Sequence, residues 1–138
     1  MPSQNLDLVR SIYADWERGD FSHSDWAHSD IEFVRNAELE PERAQGIAGM
    51  ARMWRRWLGE WDEFRTGKVD EYRELDHSRV FVTGRMSGRG KASGAEVERE
   101  FVTVFELREG RVARLSVYPD RDRALADLGL TPDARGRT

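Results

Sequence analysis

The chain has 138 residues, no cysteine, and 26 acidic against 22 basic side chains for a net charge of −4. That length accommodates one hydrophobic core and no second. Without cysteine there is no disulfide scaffold, thiolate zinc site or cysteine nucleophile, and the acidic balance removes general attraction to nucleic acid and anionic membranes.

Charged residues make up 35% of the chain, yet five Trp, six Phe and three Tyr supply the aromatic surface that disordered chains lack. The opening MPSQNLDLVR has no apolar signal segment, and no apolar run approaches the ~18 residues of a membrane span. The expectation is a soluble, cytoplasmic protein with one domain over residues 1–130 and a mobile tail, TPDARGRT, over 131–138.

Leu6, Val9, Ile12, Tyr13 and Trp16 step by three and four residues, which predicts a helix over 3–18 stopped by Gly19. Ser22 and Asp25 suggest the capped start of a short helix carrying Trp26. Ile31 to Val34 reads as a short strand, and the polar stretch Asn36 to Gln45, with Pro41, as a loop. From Gly46 a second helix carries Ile47, Met50, Trp54, Trp57, Leu58 and Trp61 on a broad apolar stripe.

Four strands follow: Lys68 to Leu75, Arg79 to Gly88, Glu96 to Leu107 and Arg111 to Tyr118, with turns at Arg89–Gly94 and Glu109–Gly110. Pro119 ends the last strand, Asp120 is placed to cap a final helix from Arg121 to Leu128, and Gly129 stops it. Helices segregated from consecutive antiparallel strands make an α+β fold, with the amphipathic helices expected across one face of a curved sheet.

This order, together with IYADWERGDF (12–21), VFVTGRMSGRGKASG (80–94) and RLSVYPDRDRALADLGL (114–130), resembles the nuclear transport factor 2-like superfamily and its SnoaL-like, polyketide cyclase-like branch. The resemblance implies a cone-shaped half barrel: a curved antiparallel or mixed sheet against long N-terminal helices, enclosing an internal pocket. It also implies homodimers formed through the sheet, and alternate residues of Val97 to Leu107 are the candidates for such a face. Steroid isomerases of this fold use a strand carboxylate, a helix Tyr and a protonated strand Asp. Aligned on Gly19–Asp20, those positions fall at or near Arg35, Ile12 and Thr103, so the isomerase set is absent. Arginine is no base at neutral pH.

SnoaL-like cyclases instead work with an acid/base carboxylate and polar groups around a flat aromatic compound, moving protons from carbon to oxygen. Among Asp15, Asp30, Glu32 and Asp120, Glu32 is the leading candidate base because it sits between Ile31 and Phe33. Strand alternation alone would put it on the solvent face of an edge strand. Tyr13 shares a helix face with Trp16, where it either packs in the core or offers its hydroxyl to a ligand carbonyl. Arg35 is either a surface residue or a donor fork for an anion. Thr103 is a candidate hydrogen-bond donor, and Trp16, Trp54, Trp61, Phe101, Phe105 and Val117 are the candidate pocket walls.

His23 and His28 are five apart, a poor spacing for helical metal ligands, so no metal is expected. Ser87 to Gly94 joins two strands rather than opening a helix, which argues against a phosphate loop. No nucleophile elbow is present. Two functions remain: cofactor-free proton transfer (cyclisation, isomerisation or dehydration) on a small cyclic or aromatic molecule, or non-catalytic ligand binding or homodimerisation. A titratable carboxylate beside Tyr13 in the pocket separates them.

Overall fold

The computed structural model describes residues 4–21, 23–36 and 40–130. Its elements are α1 (Gln4–Glu17), β1 (Ala27–Arg35), β2 (Glu42–Gln45), α2 (Gly46–Leu58), β3 (Trp61–Glu74), β4 (Arg79–Gly90), β5 (Glu96–Arg108), β6 (Arg111–Tyr118) and α3 (Arg121–Asp127). The strands form one mixed sheet in the order β2-β1-β6-β5-β4-β3. β1 and β6 run parallel and every other neighbouring pair is antiparallel. The α+β class is as expected.

α1 buries Val9, Ile12, Tyr13 and Trp16. It ends where Gly19 turns to φ +80, with Gly19 N donating to Trp16 O at 2.9 Å and Asp20 N to Asp15 O at 2.9 Å. These are the paired bonds of a Schellman cap, which only glycine closes without strain. Together with α2, α1 covers one sheet face, over a core that includes Ile31, Phe33, Val80, Val82, Phe105 and Leu115.

The other face is not bare. Phe81, Val102, Val104 and Tyr118 form a second core with Ala124 and Leu125 of α3. The two amphipathic N-terminal helices, α1 and α2, therefore share one face, and α3 covers the other. Asp120 does cap α3, its side chain accepting from Arg123 N at 2.8 Å. Val97 to Leu107, the stretch expected to supply a homodimer face, divides between the two sides of the sheet. Phe101, Phe105 and Leu107 belong to the first core, Val102 and Val104 lie in the core with α3, and the outward Glu98 and Glu106 pair with Arg85 and Arg114.

Four boundaries differ from the sequence reading. No short helix forms over 23–26; a turn leads into β1, and the indole of Trp26 donates to His23 O at 2.9 Å. Ser22, its expected cap, lies outside the described residues, as does the 131–138 tail. β1 starts at Ala27 rather than Ile31, and the expected loop contains the edge strand β2. Trp61 opens β3, opposite Gly90, instead of closing α2.

Candidate functional site

Strand register builds one row of side chains across the helix-covered face. Arg35 of β1 is level with Val117 of β6, Val117 with Thr103 of β5, Thr103 with Val82 of β4, and Val82 with Tyr72 of β3. Over the Arg35, Val117 and Thr103 part of this row, and under α1 and α2, lies a cavity of about 360 Å³. Tyr13, Trp16, Trp54, Phe101, Thr103, Val117 and Arg35 all line it. So do residues the sequence reading did not single out: Phe33, Asn36, Trp57, Phe64, Arg99 and Glu100. Alternation could have found two of them, since Phe33 shares its strand face with Arg35, and Arg99 shares its face with Phe101 and Thr103.

Three residues expected at the site lie elsewhere. Glu32 faces away from the cavity, with Arg114 Nε at 3.2 Å and Arg43 Nη1 at 3.5 Å. It is on the solvent face, though of an inner strand, because β2 takes the edge. Phe105 is fully buried, covered by the rings of Tyr13 at 5.8 Å and Trp16 at 6.4 Å. Trp61 packs beside the cavity on Trp57 (5.7 Å) and Phe64 (6.1 Å) rather than lining it. The other candidate carboxylates are also engaged away from it. Asp15 pairs with Arg18, Asp30 is exposed and Asp120 caps α3.

Tyr13 is the chemical centre of the lining. Its ring stacks on Phe101 (5.5 Å, 14°) and meets Trp16 edge-on at 4.9 Å. Only 2% of the residue is exposed. Burial pushes the phenol far above its ordinary value, and Thr103 opposes part of that rise. The two hydroxyls nevertheless do not meet hydrogen-bond geometry, and Tyr13 Oη has no partner among the described residues. A buried polar group without a partner is uncommon, because it gives up its bonds to water for nothing.

Among the described residues Glu100 is the one carboxylate that borders the cavity, and its Oε1 accepts from Arg121 N at 3.3 Å, toward the start of α3. At the opening, Arg35 Nη1 is 3.7 Å from Glu42 Oε1, while the second oxygen of Glu42 binds Arg56. Asn36 is pinned beside it by two bonds to Val117 O, from its backbone N (2.8 Å) and from Nδ2 (3.2 Å). Among the described residues no group of three His, Asp or Glu side chains is arranged to hold a metal, and no helix is long and apolar enough to cross a membrane.

The family model for the SnoaL-like domain matches residues 9–115. The chain belongs to the SnoaL-like family. Solved structures agree on the fold. TerC, co-crystallised with polyporic acid, superposes with a TM-score of 0.71 at 22% identity, covering 93% of this chain and 98% of its own. An NTF2-like protein of unknown function from Burkholderia pseudomallei K96243 gives a TM-score of 0.76 at 19% identity, with 91% and 97% covered. A protein from Jannaschia sp. CCS1 named as a candidate SnoaL-like polyketide cyclase gives 0.72 at 16% identity, with 94% of each chain covered. No curated protein matches the sequence. In this SnoaL-like chain, then, the family fold carries an aromatic-walled cavity whose one deeply buried phenol is unpartnered.

Proposed function

We propose that this SnoaL-like protein binds a small planar aromatic carbonyl compound, holding the rings between aromatic walls and the carbonyl at Tyr13. The observation that carries this is the Tyr13 hydroxyl, buried, part of the cavity wall, and without a protein acceptor. A ligand carbonyl is the partner it lacks. Trp16, Trp54, Trp57 and Phe101 supply faces on which a flat ring system stacks. The volume, about 360 Å³, lies near the small end of the range for small-molecule sites. TerC, which has the same fold, was co-crystallised with polyporic acid, which favours a small ligand here.

Binding is better supported than carboxylate-based proton transfer. Glu32 is outside, Glu100 is tied to α3, and burial makes the Tyr13 phenol a weaker acid without impairing it as a hydrogen-bond donor. The test is a titration with 2-acetylnaphthalene read by tryptophan fluorescence, since three of the five Trp border the cavity. Saturable quenching is expected, weakened by about tenfold in Tyr13→Phe, the loss of one buried hydrogen bond. Quenching that does not saturate, or is the same in the variant, overturns the reading.

A further inference from the structure

Resting on that cavity, we infer that the ligand carries a negative charge, a carboxylate or an acidic enol, directed to the opening between Arg35 and Arg99. Both arginines border the cavity. Among the described residues Arg35 has one counter-ion, Glu42, which it shares with Arg56, so these three groups together leave one positive charge at the opening. Arg99 is exposed, lies level with the cavity residue Met86, and forms no ion pair among the described residues. Glu100, the remaining charged group of the lining, accepts from the first turn of α3.

Counted over the described residues, Arg35, Arg56 and Arg99 against Glu42 and Glu100, the opening is thus a net positive spot on a chain of net charge −4. Overall charge repels an anion, so any preference for one has to come from this locality. Register also makes convergence feasible. Arg35 is two strands across from Thr103, and Arg99 four residues along β5 from it. On a flat sheet that puts the two Cα atoms roughly 16 Å apart, a gap that two extended arginine side chains and a ligand group between them can close. Guanidinium supplies paired donors for a planar anion. A ligand with its carbonyl at Tyr13 and its anion at the rim would use both ends of the cavity.

The test compares 2-naphthoate with its neutral isostere 2-naphthamide by tryptophan quenching. Wild type is expected to bind the anion at least about tenfold more tightly. R35Q and R99Q should each reduce that ratio about threefold or more, and the double variant should bring it near one. Raising salt to about 0.5 M should shrink the ratio in wild type without any substitution, because the rim charges are solvent-screened. Equal affinities for the two compounds, or a ratio indifferent to both arginines and to salt, overturn the inference and leave the cavity reading standing. No quenching by either compound removes both.

Discussion

Tyr13→Phe deletes one oxygen and leaves the ring packing intact: the stack on Phe101 and the edge contacts to Trp16 and Phe105 are made by carbon. A tyrosine hydroxyl that bonds within the fold stabilises it by about 1 kcal/mol, and its removal lowers stability. Tyr13 Oη has no such bond. Leaving a buried hydroxyl unsatisfied costs about 1–3 kcal/mol, so deleting it should stabilise the unliganded protein by about that amount. For 138 residues, at ~2.1 cal/mol/K per residue, the unfolding entropy is roughly 290 cal/mol/K, or about 3.5 °C in Tm per kcal/mol. Calorimetry of the unliganded variant should therefore show Tm raised by about 3–10 °C while affinity for the ligand falls. A Tm lowered by about 3 °C would show that the hydroxyl is satisfied, most simply by Thr103, and would refute the reasoning. A cycle with Thr103→Val settles the point, since coupling below about 0.5 kcal/mol is expected for hydroxyls that are not bonded to each other.

Glu32→Gln should leave ligand quenching unchanged and lower stability by no more than about 1 kcal/mol, because its ion pairs with Arg43 and Arg114 are part-exposed; a tenfold loss of affinity would put the carboxylate back in the site. Gly84→Ala would set a Cβ 2.5 Å from Phe101 Cζ and 2.8 Å from Lys68 O, so the Phe101 ring must leave its stack on Tyr13. The expected loss is about 1–3 kcal/mol, seen as a lower Tm and an altered near-UV spectrum; an unchanged Tm contradicts it. All three tyrosines are shifted upward: Tyr13 and Tyr72 chiefly by burial, and Tyr118 by burial and then by its bond to Asp127. The unfolded chain therefore ionises first, so stability is full below about pH 10 and falls as pH rises above it. Native protein at about pH 10 should show far less phenolate absorbance than the half-ionised denatured chain; a native midpoint near that pH would count against the packing.

The places of α1, α2 and α3 and of the β4–β6 hairpins were legible because period and turn chemistry agree there: Gly19, Gly110 and Gly129 all take positive φ at their stops. Edge strand β2 was not, since Glu-Arg-Ala-Gln has no apolar alternation and is held mainly by its backbone bonds to β1. Trp61 misled because its spacing from Trp57 and Leu58 continues the helical stripe past Gly59, although the chain has already turned. Of the residues that line the cavity, Tyr13 could be named from its helix face, and Arg35 and Thr103 from the positions the family resemblance gives them, but for Glu32 chemistry and alternation conflict. Alternation won: Phe33 and Arg35 face the cavity, and the residue between Ile31 and Phe33 must face the other way. The unbroken apolar run Val80–Val82 held a signal that went unused, because both faces of a strand like that need cover. α3 provides the second cover.

The parallel pairing of β1 with β6 has a consequence for how the protein is made. Asn36 and Val117, which pin the cavity opening, are 81 residues apart in the chain. Tyr13 belongs to the first helix, whereas β6, which lies between the Arg35 and Thr103 strands of the row, is the last strand of the sheet. During synthesis at ~5–20 residues per second, α1 and β1 wait several seconds for the strand that β1 must join. Until then β1 lacks Val112 and Leu115, the part of its core that β6 supplies opposite Ala27 and Phe33. The nascent chain thus makes the aromatic walls first and the strand that completes the cavity floor last.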